Sequence, residues 1–257
     1  MRELERLDRH PRPLTLPAQG QPLDRLRFAL VGRGRLGRAL GGALRDAGLQ
    51  VDGPLGRGAT GAGSDVVILA VPDGEIAAAG RAVAPGPLVG HCSGATGLDA
   101  LSTDEAFGLH PLMTVTGEGA RFEGAACATA GSTERARWIA GALARRLGMI
   151  PFEVADEDRA AYHAAASIAS NFLVTLEGAA ERLAATAGVG REHLAPLVRE
   201  TVDNWASLGA ERALTGPVAR GDAATVARQR EAVLERAPDL VAVFDALAEA
   251  TREAVSA

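Results

Sequence analysis

A chain of 257 residues, 47% of them hydrophobic, is long enough for one large or two modest domains with a real core. Its net charge of −5, with no basic tract or aromatic ladder beside it, argues against nucleic acid and anionic membrane surfaces as partners. No apolar run reaches the length of a membrane span, and the Arg-rich start lacks the apolar core of a signal peptide, so the cytoplasm is the expected location. Cys92 and Cys127 are far apart and offer neither a disulfide framework nor a zinc site; buried thiols are expected, and no metal. All 27 basic residues are arginine, which excludes Schiff-base chemistry, a lysine-bearing phosphate loop and a lysine general acid.

Residues 1–23 carry Pro11, Pro13, Pro17 and Pro22 among scattered charges and read as a loosely docked arm. From Arg27 the pattern alternates: strand 27–31, helix 35–47, strands 50–55 and 65–71, a short helix near 74–83, and strand 87–91. Strands 106–109 and 124–130 follow, then a helix over 133–147 behind Ser132 with Gly148 as its stop signal, and a last strand at 149–154. Asp156 is expected to cap a long helix with Glu157 and Asp158 in its positive first turn, which accounts for these acids without a metal shared with His163. The remainder is helical, with breaks at 188–190 and 216–222, the second expected to cap a helix. The pattern specifies an α/β fold: a Rossmann-type, doubly wound parallel sheet over 24–154, then an all-helical domain over 155–257.

The first strand breaks directly into Gly32-Arg33-Gly34-Arg35-Leu36-Gly37 at the mouth of a helix. In this context G-x-G-x-x-G is a dinucleotide loop: Gly32 makes the tight turn, Gly34 lets backbone N–H groups reach the pyrophosphate, and Gly37 lets helix and strand pack closely. Asp52 stands at the count of an NAD-type acid but inside its strand, which leaves Gly56-Arg57-Gly58 at the ribose position. A glycine followed by an arginine suits a 2′-phosphate, so NADP (NADPH) is expected over NAD.

Of five histidines, His10 and His193 read as surface. His91 and His110 fall at carboxyl ends of strands, where ligands bind, and Pro111 is expected to end its strand and hold the His110 imidazole at that rim. Within Tyr162 to Phe172, His163, Ser167 and Asn171 recur at i, i+4 and i+8 on one helical face of an otherwise apolar segment. A substrate carbonyl would satisfy that face, and so would polar packing against the first domain. Trp205, Leu208, Leu214, Val241, Phe244 and Leu247 form either a domain core or a dimer interface.

These motifs, together with Ala70-Val71-Pro72-Asp73, His91-x-Ser93-Gly94-Ala95, Gly108-Leu109-His110-Pro111-Leu112 and Thr215-Gly216-Pro217-x-x-Arg220-Gly221-Asp222, resemble bacterial Rossmann-like oxidoreductases with a helical C-terminal domain of unknown function. That group is similar to the 6-phosphogluconate dehydrogenase-like superfamily, which includes pyrroline-carboxylate and ketopantoate reductases. The resemblance implies an NADP-linked reductase of a small carbonyl substrate, with ketopantoate and pantothenate synthesis the first expectation, and a homodimer formed through the C-terminal helices. It also implies cofactor contacts from Val71, Pro72 and Ser93, and a role for Asn171 on the reacting oxygen. The superfamily's lysine is missing, and His163 or Ser167 occupies its neighbourhood, with His110 or His163 as proton donor. A catalytically silent dinucleotide-binding sensor or partner protein, a prephenate-dehydrogenase-like enzyme and a deazaflavin-linked oxidoreductase are the alternatives.

Overall fold

Along β1 (Arg27–Val31), Phe28 and Leu30 enter one apolar cluster while Ala29 and Val31 enter another, so this strand is buried on both faces. The computed structural model describes residues 23–116 and 120–256, so the expected arm lies, apart from Leu23, outside the described residues. The same alternation continues in β3 (Val66–Leu69), with Val66 and Ile68 on one side and Val67 and Leu69 on the other. β2 (Gln50–Leu55), β4 (Leu88–His91), β5 (Ala106–Leu112), β6 (Ala126–Gly131) and β7 (Ile150–Glu153) complete a seven-stranded sheet of order β2-β1-β3-β4-β5-β6-β7. Leu40 and Leu44 of α1 (Arg35–Asp46) and Ile139 and Leu143 of α3 (Glu134–Arg146) cover the Phe28 face. Ile76, the first residue of α2 (Ile76–Ala82), covers the other.

This is the expected doubly wound α/β sheet with three local corrections. β1 to β5 run parallel, but β6 is antiparallel to β5, with His110 opposite Ala128, and β7 is parallel to β6. The connection over 113–125 has no helix among its described residues, and without a crossover helix the chain returns beside β5 in the opposite direction. Pro111 does not end β5. β4 pairing stops at Gly108, so from Leu109 onward β5 has a neighbour on one side, and a residue without N–H is tolerated at such an edge. The cap of α3 is Thr133 rather than Ser132: Thr133 Oγ1 accepts from the Ala136 N–H at 3.1 Å, whereas Ser132 Oγ accepts from the Ala106 N–H and donates to the Asp104 carbonyl.

Cys92 and Cys127 are free, buried thiols; burial pushes Cys92 up to about 12 and Cys127 further in the same direction. The chain forms two compact units that divide between Ser167 and Ile168, and α4 (Arg159–Ser167) belongs to the first. Asp156 to Asp158 form a 3₁₀ turn whose cap position is Ala155, so Asp156 is not the N-cap; its carboxylate instead accepts from Arg159.

The second unit opens with one turn of π-helix, Ile168–Phe172, followed by α5 (Leu173–Ala185) and α6 (Arg191–Leu208). α7 (Ala210–Ala213), α8 (Gly216–Ala219), α9 (Ala223–Arg236) and α10 (Val241–Ser256) complete it. Asp222 caps α9 by accepting from the Thr225 N–H, and a bidentate Arg230–Asp245 pair, both bonds 2.8 Å, ties α9 to α10. Among the described residues of this unit only Val226, Val233, Ala237 and Ala248 are buried hydrophobics, while Phe172, Leu197 and Trp205 stay more than half exposed. No helix among the described residues is long and apolar enough to cross a membrane.

Candidate functional site

Two of the three loop glycines are required by packing, and the third is not. At Gly32, φ is +124°, and a Cβ would collide with the Ala70 carbonyl of the segment after β3. A Cβ on Gly37 would collide with the Gly32 carbonyl. A Cβ on Gly34 would meet nothing within 4 Å. Gly34 is the N-cap of α1 and supplies no side-chain cap, so the helix presents first-turn N–H groups to the space in front of Gly34. That space belongs to a cleft of about 590 Å³ lined by Gly32, Arg33, Gly34, Gly56, Arg57, Val71 and Pro72 among others. It lies between the loops after β1 and β3, where the strand order reverses and α/β sheets bind their ligands.

At the end of β2, Gly56 leaves room for the Arg33 guanidinium, whose Cζ would be 3.5 Å from a Cβ there. Arg33 Nε also donates to the Pro54 carbonyl at 3.4 Å. Arg57 is exposed and paired with Glu75 at 2.6 Å, and both residues line the cleft. A carboxylate at position 56 would lie against Arg33. Arg35 is exposed at the start of α1, and Leu36 packs partly buried against the core. Ser93 does not line the cleft: its Oγ accepts from the Ala95 and Thr96 N–H groups and bonds Thr96 Oγ1, closing its own loop.

His91 is fully buried and structural. The Ser93 N–H donates to its Nδ1, which leaves the proton on Nε2 to donate to the Gly97 carbonyl at 3.3 Å; burial holds its pKa below the usual value. His110, two residues beyond Gly108 on the same face of β5, lies over Gly94, where a Cβ would come 2.6 Å from its Cε1. Its Nδ1 is 2.7 Å from the Tyr162 hydroxyl, and the rings meet at 88°. Tyr162 rests edge-on against Phe152 as well, and His163 is 6.3 Å from His110 between ring centroids. Burial, with His163 adding to it, pulls His110 down to about 4, so the imidazole is neutral at pH 7; burial pushes the Tyr162 phenol up to about 12.

The structure therefore brings His110 and His163 together and adds two residues that the reading by histidines passed over, Tyr162 and Arg159. The signal was present: Arg159, Tyr162 and His163 are spaced i, i+3 and i+4 on α4 and share one face. Ser167 ends α4, and Asn171 is exposed within the π turn of the second unit, so the continuous α-helical face expected over His163, Ser167 and Asn171 is interrupted at Ile168.

The sheet order, the glycine loop at the reversal point and the helical second unit define a Rossmann-type nucleotide-binding fold with a helical C-terminal region. Residues 125–251 match the model of a domain of unknown function, DUF2520. No curated protein matches the chain. Solved structures do. BF3122 from Bacteroides fragilis, whose name marks it as a candidate NADP oxidoreductase, is 18% identical at a TM-score of 0.78, covering 90% of this chain and 100% of that one. TM1727 from Thermotoga maritima is 23% identical at 0.70, covering 89% and 98%. The pyrroline carboxylate reductase of Plasmodium falciparum, solved with NADP bound, is 11% identical at 0.58, covering 91% and 100%.

Proposed function

We propose that this protein is an NADP-dependent oxidoreductase that reduces a small carbonyl substrate, a 2-oxo acid such as ketopantoate, as a cytoplasmic homodimer. The observation that carries the reading is Gly34: its missing side chain answers to no protein neighbour, and it faces a cleft onto which a helix terminus opens. Gly32, Gly34 and the first turn of α1 would hold the pyrophosphate, Val71 and Pro72 would wall it, and Arg33 with Arg57 would take the 2′-phosphate. The names of BF3122 and of the NADP-bound reductase agree with that choice of nucleotide.

NADPH, when bound, supplies the hydride. His110 lies on β5, two strands from β3 and so about 10 Å across the sheet from the pyrophosphate cleft, on the same carboxyl-end rim. A Tyr162 hydroxyl donating to Nδ1 leaves the proton of neutral His110 on Nε2, where it can bond the substrate oxygen. When that proton passes to the oxygen, the Tyr162 proton replaces it at Nδ1, and the phenolate recovers a proton from solvent. The imidazole stays uncharged throughout. His163 remains the other candidate for the oxygen's partner within the first unit, with Ser167 at the end of the same helix.

The homodimer rests on the second unit's small buried core and its exposed Phe172, Leu197 and Trp205, which a second copy would cover. The deciding experiment is NADPH consumption against a panel of 2-oxo acids and neutral carbonyls, with NADPH affinity measured separately. Turnover of one class sustains the proposal; binding without turnover across the panel overturns it in favour of a silent sensor.

A further inference from the structure

Arg159 is the first residue of α4 and only 5% exposed, a rare degree of burial for a guanidinium. Its Nε donates to Asp156 Oδ1 at 2.7 Å, and that carboxylate faces solvent. Among the described residues the two terminal nitrogens have no partner, and no buried side-chain nitrogen or oxygen is left unpaired, so both terminal nitrogens reach solvent. They sit where β5 has no side chain: a Cβ on Gly108 would lie 3.7 Å from Nη2. Gly108 and His110 point to the same side of β5. The charge of Arg159 is felt at His91, His110 and Tyr162.

A buried guanidinium is costly, and an ion pair with an exposed aspartate through Nε alone would not require burial. What burial achieves is a fork edge, Nη1 and Nη2, held rigid beside the His110–Tyr162 pair with its outer donors bare. That edge matches a carboxylate in a bidentate pairing. We infer that Arg159 receives the carboxylate of the substrate, so that the compound reduced is a carbonyl compound carrying an acid group close to its carbonyl, and neutral ketones and imines are discriminated against. The inference rests on the reductase reading and assigns its substrate-binding residue.

The test is calorimetric titration of the NADP-loaded protein with oxamate, an unreactive carboxylate mimic of a 2-oxo acid, and with oxamide, its neutral counterpart. Oxamate should bind at least about tenfold more tightly than oxamide, and Arg159→Met should erase that difference while NADPH affinity stays the same. Arg159→Lys, which keeps the charge and loses the fork, should fall between. Equal binding of the two probes, binding of neither, or oxamate binding unchanged in Arg159→Met overturns the inference. If Arg159→Met does not fold, the comparison of the two probes on the unaltered protein decides alone. Failure to bind NADPH would overturn the reductase reading instead, while turnover of 2-oxo acids that Arg159→Met leaves unchanged would keep that reading and overturn only the role of Arg159.

Discussion

The Tyr162 hydroxyl lies 2.7 Å from His110 Nδ1, a hydrogen bond that, with the edge-to-face meeting of the two rings, pins the imidazole of β5 to the first helix after the sheet. Tyr162→Phe removes the bond and leaves the edge-on ring contact with Phe152 intact. We expect kcat to fall about 10-fold to 100-fold with NADPH affinity unchanged, and stability to fall by about 1 kcal/mol. Steady-state kinetics and urea denaturation check both; an unaltered kcat would remove Tyr162 from the mechanism.

His110 also predicts a pH dependence of stability. In the unfolded chain its imidazole takes up a proton near 6.5, and in the folded protein near 4. Between those values the unfolded state binds more protons, so this residue makes stability fall as pH drops from about 6.5 to about 4 and contributes no slope above. Urea midpoints measured across that window should be less steep in His110→Gln. Parallel curves for the two proteins would show that the imidazole is not held neutral.

The glycines of the loop separate packing from binding. Gly37→Ala drives a methyl group into the Gly32 carbonyl and should destabilise the fold by about 1–3 kcal/mol. Gly34→Ala meets only open space, so its melting temperature should match the parent while NADPH affinity drops at least about tenfold. Calorimetry on the pair tests this; normal NADPH binding by Gly34→Ala would count against the cleft as the nucleotide site.

Cofactor choice should depend more on Arg33 than on Arg57. Arg33 stands over Gly56, whereas Arg57 is largely exposed and already engaged by Glu75. Arg33→Ala should cut the preference for NADPH over NADH by about 10-fold to 100-fold, Arg57→Ala by less. Glu75→Gln, which frees Arg57, should tighten NADPH binding by a factor of about 2 to 5, the scale of an exposed ion pair. Binding measured with both nucleotides ranks the four proteins.

Much of the sheet was legible because strands such as β1 and β3 alternate between two apolar clusters and helices such as α1 and α3 end at a glycine stop signal. What escaped was set by neighbours in space. That β4 ends opposite Gly108, and so spares Pro111 any missing ladder bond, depends on a partner strand rather than on the residues around the proline. The reversal of β6 depends on a connection without a helix, and Thr133 and Ser132 differ only in which backbone group each faces. At the site, His110 stood out by its type. Arg159 was hidden by an arginine-rich composition, because among the described residues it is burial that distinguishes it from the other arginines, and Tyr162 by the histidine beside it.

The two cysteines have a practical consequence. Both thiols are shut inside the first unit and held protonated by their surroundings, so maleimides and mild oxidants will find little thiolate to attack in the folded protein. A cysteine introduced on an exposed helix of the second unit, in place of Val174 for instance, can therefore carry a spectroscopic label on an otherwise silent background.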